Sequence, residues 1–348
     1  MNPFLGVFLH AVGGLAAGSF YIPFRRVKGW AWETYWLSQG FAAWIVMPIV
    51  MAWLTTPDLP AILSASPVKS MWLAYIFGAM WGVGGLTFGL SMRYLGLSLG
   101  YAMALGFCAA FGTMIPPIVA GDAVAMFTTA SGFAVFAGVV VCLLGIALCG
   151  YAGVLKELEL TEEQKKQAIK EFALMKGFMV AVFAGIMSAC MAFAIQAGKP
   201  IAQAALQVGT TEIYQNNPVF IFAMAGGFTT NCIWCLILTL RNKSAGDYIK
   251  DPRRTLLTNY ILAFVGGATW YLQFFFYGMG MSKLGKDYDF ASWGIHMAFI
   301  IIFSNMWGLL FKEWKGSSQR TYSLICFGLL VLLASTLVIG YGNYIASR

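Results

Sequence analysis

SFYIPFRRVKGWAWETYW, residues 19–36, sets Arg25, Arg26, Lys28 and Glu33 between two long apolar runs. Charge is scarce elsewhere: of 348 residues 59% are hydrophobic and 10% charged, where a soluble domain carries roughly a quarter charged. That composition belongs to an integral membrane protein. The 39 glycines, 12 tryptophans and 15 tyrosines fit it, because glycine is frequent in membrane helices and Trp and Tyr collect at the interfaces. A net charge of +8 would point a soluble protein toward nucleic acid. Here the basic residues lie between apolar spans, so they read as topology signals, and no nucleic-acid partner is expected.

Ten apolar segments are each long enough to cross ~30 Å of hydrocarbon: 5–22, 33–54, 71–92, 97–119, 131–151, 176–197, 217–240, 257–280, 290–311 and 322–345. The expected fold is an all-α integral membrane protein of ten transmembrane helices in a lipid bilayer. No soluble domain is left over, since KELELTEEQKKQAIKE at 156–171 is too short for a second core. The N-terminus lacks a basic leader and a small-residue cleavage site, so the first span is expected to be retained. Seventeen of the 22 Lys and Arg fall in the odd-numbered connections, Arg25, Arg26 and Lys28 among them. The positive-inside rule makes those connections cytoplasmic and places both termini on the opposite, periplasmic side. Trp30, Trp32, Tyr35 and Trp36 then belong at the interface.

Residues of the first half recur in the second at offsets that grow along the chain: Gly6 with Gly177, Gly84 and Gly85 with Gly266 and Gly267, and Tyr151 with Tyr341. This divides the chain into a first five-helix repeat at 1–155, a cytoplasmic linker at 156–175 and a second repeat at 176–348. Five helices is an odd number, so the second repeat inserts inverted. Inverted repeats build alternating-access carriers with the binding site near the midplane. Pairs such as Gly14/Gly18, Gly78/Gly82, Gly85/Gly89 and Gly96/Gly100 put small residues on one helical face, where backbones approach closely.

Polar groups inside spans are costly and mark pathways. The only two histidines, His10 and His296, both fall in spans, roughly 8 to 9 Å below the outer face at ~1.5 Å per residue. Gln273 lies at a similar depth and Asn231 nearer the midplane, which together predict an outer vestibule. Histidine titrates nearest to physiological pH and suits a group that takes and releases a proton each cycle. The competing reading is a neutral histidine bonded to a neighbouring helix. Glu33 is a third candidate, for which an ion pair with the adjacent basic cluster is the competing reading. No span centre carries Asp or Glu, so a carboxylate sodium site has little support. Cys232 and Cys235 read as core thiols, and no Walker spacing is present. Neither a metal, a cofactor nor an enzymatic activity is expected.

The opening stretch, GAMWGVGGLTFGLSMRYLGLSLG at 78–100, WYLQFFFYGMG at 270–280, DYDFASWGIHM at 287–297 and WGLLFKEW at 307–314 resemble the L-rhamnose–proton symporter family of the drug/metabolite transporter superfamily, nearly end to end. The resemblance implies two inverted five-helix halves, and symport of L-rhamnose or a related 6-deoxy sugar with protons into the cell across a bacterial inner membrane. His10, Glu33, Gln273, Tyr288, Asp289 and His296 fall where the family pattern has the same residue type. In the third span it has asparagines and a tyrosine where this chain has Gly85, Thr87 and Phe88, which leaves the identity of the sugar open. A neutral sugar asks for neutral hydrogen-bonding groups and aromatic faces. Trp270 and Gln273 lead as contacts, with Asn231, Tyr271, Tyr21, Trp81 and Thr87 beside them, and His10, His296 and Glu33 carry proton coupling. Packing competes as a reading for Tyr271 and Trp81. One rival is an exporter on the same fold, whose cavity would be mainly apolar. The other is a membrane enzyme, for which Asp287 and Asp289 are the only close acidic pair outside the central loop; the nearby Lys283 and Lys286 favour a solvated turn.

Overall fold

The computed structural model describes residues 2–346 apart from 96, 122–123, 160–173, 251, 285–290 and 312–313. Ten long helices make up most of the described residues: α1 Pro3–Ser19, α2 Trp32–Thr55, α3 Val68–Leu95, α4 Leu97–Ala120, α5 Ala130–Leu158, α6 Leu174–Ala197, α7 Asn217–Asn242, α8 Arg253–Leu284, α9 Ala291–Leu310 and α10 Gln319–Ala346. Nine of them are long and apolar enough to cross a membrane, and within α4 the apolar stretch Met103–Ile115 is shorter among the described residues. The chain is therefore a multi-pass, all-helical membrane protein. Helix α1 begins where Asn2 accepts the Leu5 amide at 3.1 Å with Pro3 in the first turn, a capped start that satisfies an otherwise orphaned donor. It ends through the short helix Tyr21–Phe24 into the basic turn, where the Arg25 guanidinium lies 4.4 Å from the centre of the Phe311 ring.

The most extensive helix contacts join the first five helices to the last five: α5 with α10, α3 with α6 and α7, α4 with α6, and α1 with α8 and α9. Small residues set several of these approaches. Gly14 and Gly18 lie under Phe299 and Phe303 of α9, and Gly78 lies against the backbone of Ala223 on α7. The expected close packing at Gly85 and Gly89 does not occur, because nothing stands within 4 Å of a Cβ at either position. Gly96 lies outside the described residues, as does 160–173 of the expected linker.

Helix α2 is not uniform. Ala42–Val46 forms a π turn between the α-helical segments Trp32–Phe41 and Met47–Thr55. Such turns insert a residue and re-aim side chains, often at functional sites. Opposite it, Gly266 and Gly267 of α8 leave room for the Tyr35 hydroxyl and the Gln39 backbone.

Candidate functional site

Three helices bring the two histidines together. His10 of α1 and His296 of α9 are fully enclosed, with ring centroids 5.9 Å apart, and Tyr277 of α8 lies edge-on to both, at 5.2 Å and 5.1 Å. Glycine makes the space: a Cβ at Gly280 would come within 2.9 Å of His10 Nε2, and one at Gly13 within 3.3 Å of His296 Cε1. The expectation of an open vestibule is corrected by this enclosure. The competing reading, a histidine bonded to a neighbouring helix, is not met either, because none of the four ring nitrogens has a hydrogen-bond partner among the described residues. Burial without a partner is costly for an imidazole and leaves these nitrogens available to a proton or a ligand hydroxyl.

Beside the histidines lies an aromatic cluster. Trp270 of α8 stands 5.4 Å from Trp44, 5.7 Å from Trp81 of α3 and 5.2 Å from Phe274. Trp44 comes from the π turn, and its indole N–H has no partner among the described residues. Phe274 connects the two groups, reaching Trp270 on one side and His296, at 6.3 Å, on the other. Trp270, Phe274 and Tyr277 are spaced four and three residues apart, which sets them on one face of α8. Gln273 is buried nearby on α8, its amide N–H donating to the Trp270 carbonyl at 3.0 Å.

Other candidates serve elsewhere. Asn231 accepts the Trp36 indole N–H at 3.0 Å, which joins α2 to α7, and donates to the Gly227 carbonyl of its own helix at 2.9 Å, so both ends of its amide are engaged. Tyr21 is half exposed and stacks toward Trp36 near the basic turn. Thr87 donates to the Val83 carbonyl of its own helix at 2.9 Å. Tyr271 is fully buried, its hydroxyl without a partner among the described residues.

Glu33 is buried, and its partners are not the basic cluster. Its carboxylate accepts from Asn242 Nδ2 at 3.0 Å and Ser244 Oγ at 2.6 Å. Next to it Asp247 accepts from the Ala31 amide at 2.8 Å and Thr34 Oγ1 at 3.1 Å, while Asn259 donates to the Lys28 carbonyl and accepts its amide. The turn quoted at the outset is thereby latched onto the connection between α7 and α8. On the opposite face Lys283 pairs with Glu212 at 3.4 Å.

The family model for L-rhamnose-proton symport proteins matches residues 2–345. The chain belongs to the L-rhamnose–proton symporter family. A protein of Yersinia pestis (strain Pestoides F) named L-rhamnose-proton symporter is 37% identical over 340 residues, covering 97% of each chain. One of Pectobacterium atrosepticum with the same name is 37% identical over 344 residues, covering 98% of each. Of the positions this symporter family suggested, Tyr288 and Asp289 lie outside the described residues, as do Asp287 and Lys286. Residues not foreseen are Trp44, Phe274 and Tyr277, together with Gln39, a fully buried amide with no partner at either end among the described residues. The spacing of WYLQFFFY was the available signal for Phe274 and Tyr277, whereas nothing in the residues near Trp44 announces a π turn.

Proposed function

We propose that this protein carries L-rhamnose, or a closely related 6-deoxy sugar, inward together with protons across a bacterial cytoplasmic membrane. The observation that carries this reading is the whole-length kinship with proteins named L-rhamnose-proton symporters. The exporter alternative is not favoured by those relatives. The fold is read as ten spanning helices in two inverted five-helix repeats, 1–155 and 176–348, joined by a cytoplasmic linker, with both termini periplasmic.

Within that frame the His10–Tyr277–His296 group takes the proton, and the tryptophan cluster with Gln273 takes the sugar. A buried imidazole pair suits the exchange of one proton, because a charge on one ring opposes a second charge 5.9 Å away on the other. Indole faces suit the C–H surface of a deoxy sugar, and the unpartnered N–H of Trp44 supplies a hydrogen bond. Phe274 touches both groups, so sugar and proton are sensed by the same stretch of α8. Glu33 serves the latch on the basic face, which must release for inward opening. At Gly85, Thr87 and Phe88, where the resemblance implies asparagines and a tyrosine, this chain is less polar, and the choice among 6-deoxy sugars is set there.

The test is pH change in a weakly buffered suspension of energy-depleted cells expressing the protein. External alkalinisation on adding L-rhamnose is the expected result. Alkalinisation only with another sugar would keep the mechanism and move the substrate. No response to any sugar, with the protein present in the membrane, would overturn the reading.

A further inference from the structure

On the flank away from the histidines, α2, α7 and α8 leave a groove of about 750 Å³ between them. Ser38, Phe41, Phe228, Tyr248, Ile261 and Phe264 are among its walls, and nearly all of the lining is apolar. Phe41, Ile261 and Phe264 are each about half exposed there. Tyr248 and Tyr260 stand at the end near the basic connections, and Phe264 is eleven residues into α8 from Arg253, about 16 Å along the axis. That is about half the ~30 Å hydrocarbon thickness, the depth of one leaflet.

The mouth of the groove is basic. Arg253 and Arg254 precede Tyr260 and Ile261 by seven residues, two helical turns, so they share their face of α8 and extend the groove by about 10 Å. Both are exposed and make no ion pair among the described residues. Lys250 folds over Gly246, bringing a third cation beside the Tyr248 turn. Among the described residues the neighbouring carboxylates are turned inward: Glu33 onto Asn242 and Ser244, Asp247 onto Ala31 and Thr34. An apolar channel one leaflet deep, crowned by cations that make no ion pair among the described residues, matches a molecule with an acyl chain and an anionic head.

We propose that this groove binds an anionic phospholipid of the leaflet on the basic side, one acyl chain lying between α2, α7 and α8 and its phosphate on Arg253 and Arg254. The chain packs against Ala42 and Val46, the ends of the π turn that presents Trp44 to Trp81 and Trp270. The lipid therefore braces the element on which the aromatic cluster is built.

The experiment uses the full chain in mixed phosphatidylcholine–phosphatidylglycerol vesicles carrying a trace of either lipid with a photoactivatable group in its acyl chain, with cross-links mapped by mass spectrometry. Labelling of segments 37–46 and 260–264 is expected to be several-fold stronger from the phosphatidylglycerol probe. The double substitution Arg253→Gln, Arg254→Gln lowers it to the phosphatidylcholine level, and the double Lys substitution retains it. Ser38→Trp, which fills the groove, removes labelling by both probes. Equal labelling by the two probes, a preference that survives the double Gln substitution, or no labelling of these segments would overturn the proposal.

Discussion

Phe274 lies 6.3 Å from His296, ring to ring, and its other side meets Trp270 at 5.2 Å. Among the described aromatic rings it alone packs against both Trp270 and His296, so in the proposed mechanism movement of the indole on sugar binding reaches the imidazole through one ring. Phe274→Leu keeps the site apolar at a smaller volume, costing roughly 1–2 kcal/mol of stability through the cavity it leaves, while it removes the aromatic edge. Sugar exchange by counterflow is expected to continue, and proton-driven accumulation of labelled sugar to fall about tenfold. Equal loss of both would make Phe274 a sugar contact or a packing residue instead of a coupling one.

His10 and His296 are close enough to act as one unit. His10→Gln and His296→Gln are each expected to abolish sugar-driven alkalinisation and leave counterflow in place. The double substitution should fall no further than either single one, because residues acting together are strongly non-additive. A single variant that still alkalinises the medium on sugar addition removes that histidine from the proton path.

Charge in a chain this apolar has few places to go, and for that reason the basic turn at 25–28 and the two intramembrane histidines were legible in the sequence. The similar depth of His10 and His296 was legible as well, but that their rings meet was not. Side-chain direction was not legible in the same way. Asn231 looks like a ligand group until Trp36 and Gly227 are seen to occupy both ends of its amide. Glu33, four residues past Gly29 and beside three cations, invites an ion pair, yet the fold turns it inward to Asn242 and Ser244. Trp44 was hidden because among 12 tryptophans only the π turn distinguishes it. Small-residue spacing predicted contact equally for Gly78 and Gly85, and the neighbouring helices grant it only to the first.

That difference is testable as stability. A Cβ at Gly78 would run into the Ala223 backbone, which cannot yield as a side-chain end can, whereas a Cβ at Gly85 meets nothing within 4 Å. Gly78→Ala is expected to destabilise by about 1–3 kcal/mol. Gly85→Ala should stabilise by roughly 0.5–1 kcal/mol through helix propensity alone. Thermal denaturation of both variants in one detergent measures the contrast, and a Gly78→Ala protein as stable as the native one would refute the close approach of α3 to α7. Because the space at Gly85 is open, Gly85→Asn should also fold normally.

Glu159 offers a pH test away from the membrane spans. Ser318 Oγ at 2.5 Å, Thr321 Oγ1 at 2.6 Å and the Ser318 amide at 2.7 Å all donate to its carboxylate, tying the end of α5 to the start of α10. The Ser318 side-chain bond leads these in holding the carboxyl below the usual range. A group whose folded pKa is depressed contributes stability that is fully present above its unfolded value, about 4.3 for glutamate, and that is lost as pH falls through the folded value. The melting temperature of Glu159→Ala should therefore lie below that of the native protein by a constant margin near neutrality. The margin should close as pH drops below about 4. A margin that stayed constant into that range would mean that the α5–α10 tie depends on packing of the glutamate stem and not on its charge.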